Sequence, residues 1–157
     1  MIMRQKFILT SILCFSLFLP KWVHSNCLDL LKIKDISHPN GPIFSTSQLL
    51  SLYVFDRDLN SEIPTCNDAC AETWPPILVE ETISTQELEN LQKCLEPNNV
   101  ILSKIKRLSG QYQLAINGRP LYTFIKDQNI EDTLGDNLGK VWHLANTKSL
   151  NTQTNEN

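Results

Sequence analysis

Two cysteines separated by three residues offer the most specific chemistry in this sequence. Cys66 and Cys70 are close enough to form a local disulfide, or to present two thiolates on one side of a turn. Thiolates bind soft metals such as Cu(I), and His143 could add an imidazole ligand. The spacing differs from the C-x-x-C of thioredoxin-like enzymes and from the C-x-x-C-H that attaches haem. The redox compartment therefore decides between a disulfide and a metal site.

Two aspartates are a second candidate for chemistry. Asp58 and Asp127 each end a run of aromatic and aliphatic residues and precede a long polar segment. A pair of carboxylates could act as acid and base, but a carboxylate at this position can also accept loop N–H groups and hold the turn. Because the sequence lacks G-x-S-x-G, H-E-x-x-H, a phosphate loop and a dinucleotide fingerprint, we favour the structural role and predict neither enzymatic activity nor a cofactor.

The N-terminus has the features of a secretory signal peptide. Arg4 and Lys6 precede an uncharged run over 7–19, which is too short to cross a bilayer as a helix but has the length of a signal-peptide core. We expect cleavage near Ser25, so that residues 1–25 are removed and the mature chain has no transmembrane helix. The alternative is an uncleaved N-terminal anchor. The expected location is periplasmic or secreted.

Export changes the interpretation of the cysteines that remain. Cys27, Cys66, Cys70 and Cys94 form an even set, and an oxidising compartment favours disulfides over free thiols. Four cysteines allow three connectivities, of which we favour Cys66–Cys70 with Cys27–Cys94. A copper site that uses Cys66, Cys70 and His143 stays as the alternative.

Length and charge narrow the class of protein. The 157 residues suit one domain, and 41% hydrophobic with 20% charged residues is typical of a globular chain. Lys and Arg number 14 against 17 Asp and Glu, for a net charge of −3. This balance excludes a nucleic-acid binder that works through bulk positive charge.

One sequence pattern occurs twice. The stretch 52–58 (LYVFDRD) is echoed by 121–127 (LYTFIKD), and Trp74 and Trp142 follow at nearly equal distances. The repeated pattern predicts two similar structural halves.

The local patterns are mainly those of β-strands. We expect strands over 42–46, 52–55, 77–79, 100–107, 111–116, 119–125 and 140–145. Asn117-Gly118 predicts a type I′ hairpin turn, and the leucine spacing over 85–95 predicts one inserted helix with Thr85 as its cap. The fold class is therefore a small β-sandwich or barrel of two pseudo-symmetric halves.

Aromatic residues recur at the repeated positions and suggest a shared core. They are Tyr53, Phe55, Trp74, Tyr122, Phe124 and Trp142. Aromatic side chains bury large areas, so we expect a core between the two halves; an aromatic ligand groove is the alternative. His143, beside Trp142, is expected to be a strand residue with one nitrogen hydrogen-bonded.

These residues carry a resemblance to a known family. The doubled Y-x-F-x-x-D (Tyr53–Asp58 and Tyr122–Asp127) resembles the secreted repeat of unknown function, predicted bacterial lipoproteins with a Y-x-[FWY]-x-x-D motif. The similarity includes 66–71 (CNDACA), 74–76 (WPP), 118–122 (GRPLY) and 139–143 (GKVWH). It implies an exported, β-rich protein without an assigned activity. The chain departs from the family in lacking a good lipidation cysteine.

The expected organisation follows from these observations. Residues 1–25 are a signal peptide, 26–41 an N-terminal extension, 42–146 a β-rich domain with repeats at about 42–80 and 100–146, and 147–157 a disordered tail. We predict a non-enzymatic binding or structural module with an unknown partner or ligand at the cell envelope. The alternative is a periplasmic copper- or thiol-redox-handling protein that uses Cys66, Cys70 and possible ligand His143.

Overall fold

A computed structural model describes residues 31–34, 41–95 and 99–151 of the chain. Its strands are β1 (Leu31–Lys34), β2 (Ile43–Thr46), β3 (Tyr53–Phe55), β4 (Leu78–Val79), β5 (Leu102–Lys106), β6 (Tyr112–Ile116), β7 (Arg119–Pro120) and β8 (Trp142–Leu144). Its helices are α1 (Ala69–Thr73), α2 (Thr85–Cys94) and α3 (Thr147–Asn151). The predicted mainly β class is confirmed, but the sheets are not closed into a barrel.

The first half of the fold contains β1, β2, β3 and β8. Strands β1 and β2 pair antiparallel, and so do β3 and β8, with Phe55 opposite Trp142. Phe44 connects the two pairs, because its N–H donates to the Ala145 carbonyl at 2.9 Å and its carbonyl accepts from the Leu52 N–H at 3.0 Å. These strands therefore lie side by side.

The second half contains β4, β5, β6 and β7. Strand β6 pairs antiparallel with β5, with β4 and with β7. The β6–β7 turn has φ of +50° at Asn117 and +75° at Gly118, as the predicted type I′ turn requires. Leu114 repeats the role of Phe44, because its N–H donates to Ile77 O at 2.8 Å and its carbonyl accepts from Leu121 N–H at 3.0 Å.

The two repeats exchange their last strands. Strand β8 begins at Trp142 of the second repeat but pairs with β3 of the first, whereas β4 follows Trp74 of the first repeat and pairs with β6 of the second. The halves meet where Tyr53 and Tyr122 exchange backbone hydrogen bonds of 2.8 and 3.0 Å. Each half is therefore completed by chain from the other repeat, and this explains why the sequence pattern occurs twice.

Side chains from both halves form two buried clusters. One is aromatic and lies where the repeats meet. The other is aliphatic and includes Leu88 and Leu91 of α2, which present the apolar face predicted from the leucine spacing. The helix begins with a capping box of Ser84 and Glu87, so the predicted cap at Thr85 is wrong by one residue.

Two further helices correct the prediction of one inserted helix. α1 contains Cys70, and α3 lies in the segment predicted to be a disordered tail, which is therefore wrong for 147–151. Leu150 is buried, and the Asn146 side chain accepts from the Lys148 and Ser149 N–H groups. Five-residue helices have too few residues for an apolar period, so tertiary contacts and caps decide them.

The predicted signal peptide and Cys27 lie outside the described residues. Within residues 31–34, 41–95 and 99–151, the helices are too short or too polar to span a membrane.

Candidate functional site

Four aromatic rings from both repeats form a continuous stack, here called the ring stack. Trp74 and Trp142 lie face to face at its centre, with 3.8 Å between ring centroids and 5° between planes. Phe55 stacks on Trp142 at 4.2 Å, and Phe124 stacks on Trp74 at 4.3 Å. Each phenylalanine thus packs on the tryptophan of the other repeat, and all four rings are buried. The predicted aromatic core is confirmed.

Two buried tyrosines meet the ring stack edge-on. Tyr53 contacts Trp74 at 5.4 Å and Tyr122 contacts Trp142 at 5.2 Å, both in T-shaped geometry. The edge of one aromatic ring is electropositive and the face of another is electronegative, so this geometry is favourable. Gly135 packs closely here, because a Cβ at this position would lie 2.7 Å from Trp74 Cη2.

The motif tyrosines and aspartates pair across the repeats. The Tyr53 hydroxyl donates to Asp127 Oδ2 at 2.6 Å, and the Tyr122 hydroxyl donates to Asp58 Oδ2 at 2.8 Å. The tyrosine of each Y-x-F-x-x-D therefore binds the aspartate of the other. Burial, with the neighbouring carboxylate, raises the pKa of both hydroxyls well above the ordinary value of 10.0, so both stay protonated donors.

The second oxygen of each aspartate holds the loop that follows. Asp58 Oδ1 accepts from the Thr65 N–H at 2.8 Å, and Asp127 Oδ1 accepts from the Leu134 N–H at 3.0 Å. Both acceptors serve a residue seven positions downstream, and both aspartates are buried. The predicted role of holding a turn is confirmed. With both oxygens engaged, these carboxylates are poorly suited to proton transfer.

The cysteine motif forms a disulfide. Cys66 and Cys70 are bonded to each other, and the Arg107 Nη2 donates to the Cys66 carbonyl at 2.6 Å. Cys94 is also disulfide-bonded, and its predicted partner Cys27 lies outside the described residues. In a disulfide neither sulfur is a thiolate ligand. The described residues contain no group of three or more His, Cys, Asp or Glu side chains arranged to hold a metal, so they give the copper alternative no support.

A polar cleft of about 530 Å3 opens beside β8. It is lined by Asp56, Leu59, Arg119, Asp136, Asn137, His143, Leu144, Asn146, Lys148 and Ser149. Strands β3 and β8 place His143 next to the residue that follows β3, and the β6–β7 hairpin brings Arg119 to the same point. His143 is in a strand with its Nε2 2.8 Å from Asp56 Oδ2, as predicted for one satisfied nitrogen.

Arg119 is the buried cation of the polar cleft. Its Nη2 donates to the Phe55 carbonyl at 3.1 Å and to Asp56 Oδ1 at 3.4 Å, and its Nη1 lies 3.5 Å from the Ser149 carbonyl. Only 2% of the residue is exposed. Among the buried side-chain nitrogens and oxygens of the described residues, Arg119 Nε is without a hydrogen-bond partner. Burial lowers the pKa of Arg119, and Asp56 opposes that shift.

The second half has no such charges at the equivalent backbone positions. The Asp56 N–H donates to Val141 O at 2.9 Å, and the Ile125 N–H donates to Thr73 O at 3.1 Å, so Ile125 corresponds to Asp56. Val141 precedes Trp142 as Thr73 precedes Trp74, and Pro75 therefore corresponds to His143. The fold is compatible with an aliphatic residue and a proline where the first half has an aspartate and a histidine.

Sequence reasoning named His143 but missed its partners. Asp56 lies inside the first motif and Arg119 just before the second, and both stand out only once the repeats are aligned: Asp56 aligns with Ile125, and Arg119 aligns with Leu50. The alignment therefore contains a signal that could have indicated the cleft. The alignment does not predict the strand exchange that brings Arg119 to Asp56.

A family model described as a secreted repeat of unknown function matches residues 103–146. These residues include the second motif, Trp142, Arg119 and His143. No curated protein and no solved structure matches the chain. The resemblance predicted from the motifs is thus confirmed over the second repeat, where residues 103–146 are similar to this family.

Proposed function

We propose that this chain is an exported, non-enzymatic binding module that uses the polar cleft at the cell envelope. One observation carries the proposal: Asp56 and His143 occupy positions where the other half of the same fold has Ile125 and Pro75. A scaffold that accepts apolar residues at one copy of a position does not need charges at the other. Charges that the scaffold does not need are candidates for recognition.

The motif residues support this division of roles. The ring stack and the crossed tyrosine–aspartate pairs are buried, and each carboxylate has hydrogen-bond partners on both oxygens. They assemble the two repeats and are inaccessible to a ligand. Asp56 and His143 have about a third of their side-chain surface exposed, so a ligand in the polar cleft can reach them.

The arrangement of the cleft favours binding over covalent chemistry. The hydroxyl of Ser149 donates to the Leu144 carbonyl at 2.6 Å and accepts from the Asn146 N–H at 3.1 Å, which fixes the start of α3. This hydroxyl is poorly placed to act as a nucleophile, because a nucleophilic hydroxyl donates its proton to a general base and this one donates to a backbone carbonyl. The proposal therefore names no substrate to be transformed.

Export is supported by the description of the matched family as secreted. We propose that residues 1–25 are removed near Ser25 and that 42–146 form the repeat domain. N-terminal sequencing of the protein recovered from the periplasm or medium tests this, with Asn26 as the expected first residue. Recovery of Met1 on membrane-bound protein would contradict cleavage.

The binding proposal is tested by nuclear magnetic resonance on the labelled, disulfide-bonded protein. A panel of a carboxylate, a phosphate monoester, a hexose, an amine and a short peptide is titrated. We expect at least one compound to shift the amide signals of His143 and Asn137 and to leave those of Leu78 and Gln111, on the second half, unchanged.

Matched variants connect those shifts to the cleft. His143→Ala should abolish them, whereas Ile125→Ala, at the exposed position of the other half that is equivalent to Asp56, should preserve them. Shifts that survive in His143→Ala would place the binding elsewhere and contradict the proposal. So would a panel that leaves all cleft signals unmoved.

A further inference from the structure

We propose that the polar cleft binds a small oxyanion, a carboxylate or phosphate group, between Arg119 and His143. This inference rests on the proposed binding function and names the chemical class of its ligand. Three features of the cleft point to an oxyanion: a buried guanidinium with incomplete hydrogen bonding, one carboxylate shared by two basic groups, and a lining with no excess negative charge.

The guanidinium of Arg119 is incompletely compensated. Of its three contacts, the 3.1 Å bond to a neutral carbonyl is sound, while those at 3.4 and 3.5 Å are at the long limit for hydrogen bonds. Its Nε has no partner. A buried charge is costly unless it is paired and hydrogen-bonded, so an anionic group in the cleft would supply what this cation lacks.

A second buried arginine provides the internal comparison. Arg107 donates to the Cys66 carbonyl at 2.6 Å, to Asn67 Oδ1 at 3.0 Å and, through Nη1, to Gln113 Oε1. Unlike Arg119, it has no buried nitrogen without a partner. Both terminal nitrogens of this buried arginine have hydrogen-bond partners within 3.0 Å, whereas only one contact of Arg119 is that close to normal hydrogen-bond length.

One carboxylate serves two groups that can be cationic. Asp56 lies 2.8 Å from His143 Nε2 and 3.4 Å from Arg119 Nη2, so its closer contact is with the imidazole. When His143 is protonated, two positive charges face this single negative charge. The surplus equals the charge of one small anion.

The other charged groups of the cleft leave that surplus in place. Asp136 lies on the loop before β8, where its Oδ1 accepts from the Leu144 N–H at 3.0 Å, and Lys148 lies on α3 at the cleft. Their charges cancel, as do those of Asp56 and Arg119. The lining therefore carries no excess negative charge that would repel an oxyanion placed between Arg119 and His143.

Replacing the two exposed groups of the cleft should change oxyanion affinity in opposite directions. Asp56→Asn removes the competing carboxylate and should tighten oxyanion binding by about tenfold or more. His143→Gln keeps a donor toward Asp56 but cannot carry a positive charge, so oxyanion binding should weaken by about fivefold or more. Arg119 itself is left unchanged, because its buried bonds to the backbone make a folding defect the expected result of replacing it.

The experiment titrates acetate, inorganic phosphate and neutral acetamide into the full disulfide-bonded protein. Ionic strength is held constant with sodium chloride, and Kd is taken from the His143 imidazole and amide signals. Asp68→Asn, which removes a carboxylate beside the equivalent strand end of the second half, is the matched control and should leave Kd unchanged. Acetate binding alone would identify the ligand group as a carboxylate, and phosphate binding alone as a phosphate.

Three results would overturn the inference: wild-type protein that acetate and phosphate leave unmoved at His143, acetamide binding as tightly as acetate, or Asp56→Asn binding no more tightly than wild type. If a neutral compound from the panel shifts His143 while both oxyanions fail, the oxyanion inference falls and the binding function stands. If neither neutral compounds nor oxyanions shift the cleft signals, both fall.

Discussion

The two halves of this protein are alike in their interior and different at one surface position. Inside, each repeat contributes a tyrosine, a phenylalanine, an aspartate and a tryptophan. Each phenylalanine stacks on the tryptophan of the other repeat, and each tyrosine donates to the aspartate of the other repeat. At the surface, Asp56 and His143 of one half correspond to Ile125 and Pro75 of the other. The same backbone thus carries charge on one side and apolar residues on the other.

The interior residues are the ones that the assembly of the two halves requires. Replacing a motif aspartate removes the carboxylate that accepts the hydroxyl proton of the other repeat's tyrosine, so each interior position constrains its partner. Asp56 and His143 also pair across the repeats, but Ile125 and Pro75 at the equivalent positions show that the backbone forms without that pair. A duplicated fold with exchanged strands can therefore hold its core fixed in both copies and place recognition in one of them.

The largest effect is expected from the centre of the ring stack. Trp74→Ala and Trp142→Ala should each lower the free energy of unfolding by about 3–5 kcal/mol, because each removes a buried ring that stacks on two others. The two losses should be similar, since the positions are equivalent. Chemical denaturation of the oxidised protein measures both.

The double variant tests whether the losses at the two tryptophans are coupled. Its loss should be smaller than the sum of the single losses, because the two tryptophans contact each other. Ile101→Ala, at a side chain that is 66% exposed, is the control and should change stability little. A large loss for one tryptophan with a small loss for the other would show that the halves are not energetically equivalent.

The next largest effect comes from a feature that lacks a copy in the other repeat. Cys94 is disulfide-bonded, and a Cys27–Cys94 bridge would close a loop of about 67 residues. Cys94→Ser should then destabilise the oxidised protein by about 4 kcal/mol, through loop-closure entropy in the unfolded chain. Peptide mapping under non-reducing conditions checks the pairing, and a fragment that links Cys94 to a cysteine other than Cys27 would contradict it.

Much of the interior could be predicted from the sequence because its signals are local or repeated. The Asn117-Gly118 turn, the leucine spacing of α2 and the recurring aromatic motif each indicated the element that is observed. These features require only residue type and spacing. Conformations decided within a few residues are the ones that a sequence states directly.

The rest depends on which strand pairs with which. The exchange of β4 and β8 between repeats determines that Tyr53 meets Asp127 and that Arg119 meets Asp56, yet no periodicity encodes it. The short helices α1 and α3 were missed for the same reason, because contacts distant in sequence stabilise them. The sequence therefore identified His143 as a candidate site residue, but it did not predict that Asp56 and Arg119 lie beside it.

A moderate effect is expected from the crossed pairs. Tyr53→Phe and Tyr122→Phe should each cost about 1.5–3 kcal/mol, because each leaves a buried carboxylate without a charge-assisted hydrogen bond. Equilibrium denaturation near pH 7 measures this. Equal losses would support the symmetry of the halves, and a loss below about 0.5 kcal/mol for either would contradict a structural role for its pair.

The same tyrosines predict a loss of stability in alkali. Their pKa is raised in the folded protein above the ordinary 10.0 of the unfolded chain, so the folded state binds more protons at high pH. Their stabilisation is present below pH 10 and should fall above it by about 1.4 kcal/mol per pH unit for each tyrosine. The double phenylalanine variant should show a shallower decline, and an unchanged slope would be inconsistent with buried, protonated hydroxyls.

The smallest effect should come from α2, which is inserted between the repeats and has no equivalent in the other half. Ser84 accepts from the Glu87 N–H, and the Glu87 carboxylate accepts from the Ser84 N–H at 2.8 Å. Ser84→Ala should cost about 1 kcal/mol, and Thr85→Ala, one residue inside the helix, should cost clearly less.

The backbone and side chain of Ser84 lower the pKa of Glu87, so the stabilisation from Glu87 is present above the carboxyl's unfolded pKa and is lost as the pH falls. Thermal unfolding of Ser84→Ala, Thr85→Ala and Glu87→Ala at pH 7 and pH 3 tests this; a Glu87→Ala defect that persists undiminished at pH 3 would mean that the Glu87 carboxylate contributes nothing through its charge.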